Sequence, residues 1–88
     1  MLDEGRLAYI GRDQIIFLND DEFEILKLLL DNKGRVLTMK GIASILYGNI
    51  GLDSCVKDSI RQRIHRLRKK LSGEVEILTK RTVGYYVK

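Results

Sequence analysis

The sequence predicts an α+β fold in which a short N-terminal β-hairpin and a C-terminal one bracket three helices, in the order ββ-α-(β)-α-α-ββ. Three observations predict it: a helix-start signature running into a strongly apolar segment over residues 19–31, one apolar stripe at helical spacing through a basic stretch at 59–71, and paired β-prone runs at each end. An 88-residue chain has material for a single hydrophobic core, so residues 1–88 are read as one domain.

The elements follow in order. Leu7 and Tyr9, then Ile15 and Phe17, flank the turn-like Gly11-Arg12-Asp13, which predicts a hairpin of strands 6–10 and 14–18. Asn19 followed three residues later by Glu22 is a capping-box pattern, and the acids at 20–22 suit the positive end of a helix dipole. Phe23, Ile25, Leu26, Leu28, Leu29 and Leu30 make the first helix apolar around most of its circumference, as in a central core helix. Asn32-Lys33-Gly34 ends it, with Gly34 available for a left-handed cap. Val36-Leu37 is a short β-like link, and Thr38 is placed to cap a second helix through Tyr47 that turns Ile42, Ile45 and Leu46 inward. Residues 48–58, rich in Gly, Asn, Asp and Ser, read as a loop containing the lone Cys55.

The third helix, 59–71, places Ile60, Ile64, Leu67 and Leu71 at spacings of four, three and four, one narrow stripe. Its other positions include six Lys/Arg and no acid. Beyond Ser72-Gly73, residues 75–79 and 83–87 form a second hairpin with Lys80-Arg81-Thr82 at its tip. Charge is unevenly spread: residues 1–58 hold 7 Lys/Arg against 10 Asp/Glu, whereas 59–88 hold 9 against 2. A helix that docks by one stripe and shows cations elsewhere suits duplex phosphates, and the major groove has the width to admit it. With another helix before it and a basic-tipped hairpin after it, the layout is a helix-turn-helix with a wing.

Composition excludes several classes. No apolar run approaches the roughly 18 residues that span a bilayer. A secretory leader pattern is missing from the N-terminus, and one cysteine cannot form an internal disulfide, so the expected location is cytoplasmic. One histidine and one cysteine assemble no metal-ligand set; Gly34, Gly48 and Gly73 are not spaced as a phosphate-binding loop; no acid/base or nucleophile constellation is visible. Neither cofactor nor catalysis is expected.

Three motifs resemble the DNA-binding effector domain of OmpR/PhoB-type response regulators. Leu18-Asn19-Asp20-Asp21-Glu22-Phe23-Glu24-Ile25-Leu26 is similar to that family's Leu-Thr-x-x-Glu-Phe-x-Leu-Leu; Leu67-Arg68-Lys69-Lys70-Leu71 to its Leu-Arg-x-Lys-Leu; and Thr79-Lys80-Arg81-Thr82-Val83-Gly84-Tyr85 to its Thr-Val-Arg-Gly-x-Gly-Tyr. The resemblance implies a transcriptional regulator that binds double-stranded DNA, with 59–71 in the major groove and the wing 79–85 in the minor groove. It implies base contacts from Arg66 and Arg61, and backbone contacts from Ser59, Gln62, Arg63, His65, Arg68, Tyr47, Thr79 and Tyr85. Arg81 would enter the minor groove. It also implies a free monomer that pairs side by side on direct repeats, and an RNA polymerase contact through loop 48–58. A receiver domain, which full response regulators carry, does not fit within 88 residues.

Departures from the family pattern fall at Thr82, which stands for a wing glycine, at Arg61, where an acid is common, and at Met39-Lys40, which replaces Arg-Glu. The alternative reading is a winged-helix interaction module, or a free-standing regulator, whose basic face meets an acidic protein partner. An RNA-binding module is a further alternative, although the clustered exposed aromatics that stack unpaired bases are missing from the sequence.

Overall fold

From its N-terminus the structure, a computed structural model that describes residues 1–48 and 51–88, runs β1 (Leu2–Asp3), β2 (Ala8–Ile10), β3 (Ile15–Phe17), α1 (Asp20–Asp31), β4 (Leu37–Thr38), α2 (Met39–Tyr47), α3 (Ser54–Lys70), β5 (Leu78–Lys80) and β6 (Gly84–Tyr86). The strands form two antiparallel sheets of order β1-β2-β3 and β4-β6-β5. The fold is the α+β winged helix-turn-helix that the sequence predicts.

The N-terminal hairpin gains a third strand, β1, which pairs Leu2 with Tyr9. Its second strand begins at Ala8 instead of residue 6, because Leu7 takes a left-handed φ of 50° that interrupts extended pairing. In α1 the capping box is complete: Glu22 N donates to Asn19 Oδ1 at 2.8 Å and Asn19 N to Glu22 Oε1 at 3.0 Å. Leu18 and Phe23 occupy the staple positions on either side of that cap, and both lie in the core. Asn32, not Gly34, caps the C-terminus, donating through its backbone N–H and Nδ2 to Leu28 O. Gly34 does adopt the left-handed φ of 83°, but its N–H donates to Val87 O, tying the α1 exit to the last residues of the wing sheet.

Thr38 caps α2 by accepting from Gly41 N at 3.0 Å. Ile42 and Ala43 are its buried residues, with Leu46 packed at the core margin; Ile45, expected inward, is 40% exposed because the face that α2 buries is narrower than its apolar content. The third helix starts at Ser54, five residues before the expected Ser59. Asp53 Oδ1 accepts from Val56 N at 2.9 Å, so Ser54–Asp58, expected as loop, is the first turn of α3, and Cys55 is an exposed helical residue. The remaining link between α2 and α3 is residues 48–53, of which 49 and 50 lie outside the described residues.

The stripe of α3 behaves as its spacing requires: Ile60, Ile64, Leu67 and Leu71 are all buried, and Val56, one turn earlier, packs against the same core. They meet Phe23, Ile25, Leu26 and Leu29 of α1, Ile42 of α2, and Ile77, Tyr85 and Val87 of the wing. The wing is seated by Gly84, whose β6 backbone lies so close to β4 that a Cβ there would stand 2.0 Å from Leu37 O. At the wing tip Val83 N donates to Lys80 O at 2.9 Å, and Thr82 holds φ at 64°. A left-handed residue at the third position of such a turn is ordinarily glycine, and a β-branched residue there is strained.

Two expectations follow. Gly84→Ala should destabilise the domain by about 2–3 kcal/mol through a clash with backbone that cannot withdraw, lowering the thermal midpoint by roughly 10–20 °C in a calorimetric scan. Thr82→Gly should act in the opposite direction, stabilising by about 1 kcal/mol as the positive φ loses its steric cost; a lower midpoint for this variant would contradict strain at the tip.

Candidate nucleic-acid interface

Because α3 buries only one stripe, helical geometry assigns its other residues to sides. Gln62, His65 and Lys69 lie opposite the stripe, and all three are exposed. Ser59, Arg63, Arg66 and Lys70 flank it toward α1 and α2, and Lys57, Arg61 and Arg68 flank it toward the wing. The basic residues therefore form a continuous band around the outward half of the helix. Arg68, Lys69 and Lys70 also sit in the last turn, where cations suit the helix dipole.

The two arginines expected to read bases differ in their surroundings. Arg66 is exposed and, among the described residues, has no hydrogen-bond or ion-pair partner. Arg61 is also exposed, but its Nη1 is 3.1 Å from Asp58 Oδ1, an i,i+3 pair within α3. Arg61 and Lys57 line a shallow groove between α3 and the wing, whose far wall includes Thr79, Lys80, Thr82 and Tyr85. Lys57 was hidden from sequence reasoning because its turn reads as loop; Lys69 was visible in the basic run but unassigned.

Several residues expected to meet the DNA backbone are bonded to one another. Arg63 Nε donates to Asp21 Oδ2 of α1 at 2.9 Å, and its Nη1 donates to Ser59 O at 3.3 Å and to Ser59 Oγ. Ser59 Oγ is in turn 2.5 Å from the Tyr47 hydroxyl, and the Arg63 guanidinium stands over the Tyr47 ring at 5.4 Å. On the wing side, Arg68 Nε donates to Ile77 O at 2.9 Å, its Nη2 donates to Thr79 Oγ1, and its guanidinium lies 5.5 Å from the Tyr85 ring centre. Arg68 thus ties β5 and its approach to α3. Tyr85 is 7% exposed, its ring belonging to the core and its remaining surface to the groove. Arg81 stands exposed at the wing tip.

Away from this surface, Lys27 Nζ donates to Glu4 Oε1 at 2.7 Å, and that hydrogen bond holds the lysine above its ordinary pKa. No helix among the described residues is long and apolar enough to cross a membrane.

The family described as "Transcriptional regulatory protein, C terminal" matches residues 12–87. Response regulator protein PmrA of Pseudomonas aeruginosa is 36% identical over 72 residues, covering 82% of this chain and 31% of PmrA. Transcriptional regulatory protein KdpE of Staphylococcus aureus is 34% identical over 71 residues, covering 81% of this chain and 30% of KdpE. The chain spans about a third of the length of these curated relatives. In fold it is similar to the DNA-binding domain of Bacillus subtilis CssR, with a TM-score of 0.84 at 24% identity and coverage of 100% of this chain and 98% of that one. It is also similar to the Klebsiella pneumoniae RstA DNA-binding domain, solved in complex with RstA box, with a TM-score of 0.79 at 23% identity and coverage of 98% and 87%. With the match running through all three helices and the wing, the chain belongs to the family of transcriptional regulatory protein C-terminal domains, the OmpR/PhoB-type winged-helix DNA-binding domains.

Proposed function

We propose that this domain binds double-stranded DNA in a sequence-specific manner to control transcription, with α3 in the major groove and the wing 79–85 in the adjacent minor groove. The observation that carries the reading is the exposed Arg66, without a partner among the described residues, on a helix whose outward half is cationic and whose inward stripe is fully buried. Arg66 and Arg61 read base edges, since a guanidinium can bond guanine O6 and N7 together. Ser59, Gln62, Arg63, His65, Arg68, Tyr47, Thr79 and Tyr85 contact the sugar-phosphate backbone, and Arg81 enters the minor groove, where a cation gains from the concentrated negative potential. The Klebsiella pneumoniae RstA DNA-binding domain, similar in fold, was solved in complex with RstA box, which supports the DNA-binding reading.

On this reading the chain is a single effector domain, without catalysis or cofactor, that works in the cytoplasm. It is a monomer when free and pairs side by side on direct repeats. The likeness to response regulators supports a longer regulator whose receiver domain carries the phosphorylatable aspartate. A contact with RNA polymerase falls to residues 48–58, of which Ser54–Asp58 are helical and 49–50 are outside the described residues.

Titration of a duplex against salt tests the reading. With six phosphates neutralised, log affinity falls with log salt at a slope of about −5, and failure to retard any genomic fragment at low salt would defeat the proposal in favour of an acidic protein partner. The division of roles is tested by substitution on a site selected from random duplexes. Arg66→Ala should relax preference at one base pair, costing about 1–3 kcal/mol there, whereas Arg63→Ala should weaken binding evenly across sequences. The reverse pattern would overturn this division between base reading and backbone contact.

A further inference from the structure

We infer that Asp21, at the start of α1, is a positioning residue for DNA binding: it holds Arg63 so that Arg63, Ser59 and Tyr47 act as one preformed phosphate-binding cluster. The inference rests on the DNA-binding reading above and adds a residue from outside the recognition helix and the wing.

A donor count supports it. Arg63 has five N–H donors. Nε is taken by Asp21 and Nη1 by the carbonyl and hydroxyl oxygens of Ser59, so among the described residues both N–H groups of Nη2 are without a partner. Whichever of Tyr47 and Ser59 donates in their 2.5 Å contact, the other keeps its hydroxyl proton unused. The cluster therefore retains two N–H donors and one O–H donor, the inventory that a phosphate oxygen pair accepts. Three elements supply it: Asp21 from α1, Tyr47 from the end of α2, and Ser59 and Arg63 from α3. Arg63 is 26% exposed, so its guanidinium is pinned but not enclosed.

Electrostatics alone predicts the opposite role for Asp21. A 42% exposed carboxylate beside a phosphate-binding surface repels DNA, and deleting it should tighten binding. Positioning predicts loss, because a freed arginine must be ordered again each time DNA binds. The two effects have opposite signs, so the sign of the measured change decides between them.

The test measures affinity of the full chain for a duplex selected from random DNA, at fixed salt, for Asp21→Ala, Asp21→Glu, Arg63→Ala and the double variant Asp21→Ala/Arg63→Ala. Asp21→Ala should weaken binding about fivefold, Asp21→Glu should recover most of that, and Asp21→Ala made in the Arg63→Ala background should cost nothing or tighten binding slightly. If Asp21→Ala unfolds at the assay temperature, Asp21→Asn, which keeps the shape and loses the charge, serves in its place with the same sign expected. Unchanged or tighter binding by the single variant overturns the inference, as does an equal loss in both backgrounds, which would mean that Asp21 only stabilises the fold. A native chain that retards no duplex overturns the DNA-binding reading itself, whereas a native chain that binds while Asp21→Ala loses nothing overturns the positioning role alone.

Discussion

The geometry of the basic surface depends on one buried carboxylate. Glu22 is 1% exposed, and its Oε1 accepts from both the Asn19 backbone at 3.0 Å and Lys70 Nζ at 2.6 Å. The same atom therefore closes the N-terminal cap of α1 and clamps the last turn of α3 to it, across 48 residues of sequence. Removing one partner of a buried pair costs about 3–5 kcal/mol, since the other is left uncompensated. The pair here falls below that range, because Lys70 keeps 41% of its side chain in contact with solvent and water screens its charge. Among the described residues Glu22 Oε2 is buried without a donor, so the carboxylate is only half satisfied and Lys70 carries the compensation. With the C-terminal turn fixed at this point and the stripe packed on the core, α3 has little freedom to roll, and which side chains face outward is settled.

That constraint divides the cations of α3 by task. Lys70 belongs to the clamp, Arg68 ties the wing to the helix through Ile77 O and Thr79, and Arg63 is held at the junction of α1 and α2. Arg66 and Lys69 are left without protein partners among the described residues. A basic helix counted by charge alone would treat these positions as equivalent. Their hydrogen bonds show that Arg63, Arg68 and Lys70 are tied to other elements of the fold.

Much of this was legible in the sequence, and the parts that were not share a cause. The Asn19/Glu22 cap, the Thr38 cap and the stripe at 60, 64, 67 and 71 depend on residues three or four apart, and each is found in the structure. The start of α3 was obscured by composition: Asp53 and Ser54 favour loops as strongly as caps, and the turn is helical where Asp53 caps it and the half-buried Val56 packs against the core. Strand β1 exists because β2 offers it a free edge, a long-range fact that Leu2-Asp3 alone cannot signal. Ile45 faces outward because two neighbours already fill the space that α2 has to offer. Asp21 was invisible as a functional residue for the same reason, since its partner Arg63 lies 42 positions away and the two meet only when α1 and α3 dock.

Acids on a DNA-facing surface then take on a consistent meaning. Asp21 and Asp58 each engage an arginine of α3, at 2.9 and 3.1 Å. A unit charge at about 4 Å in water is worth only about 1 kcal/mol, and salt reduces it further. Fixing a free arginine side chain costs about 2 kcal/mol of rotamer entropy. An acid that holds an arginine in its binding geometry can therefore return more than the attraction it removes, provided that the arginine keeps donors to spare. Among the described residues Arg63 meets that condition through its unspent Nη2, and Arg61, bound through Nη1 alone, meets it as well. The negative charges near α3 are accordingly compatible with a cationic reader, and their short-range pairing is what distinguishes a directed surface from a merely basic one.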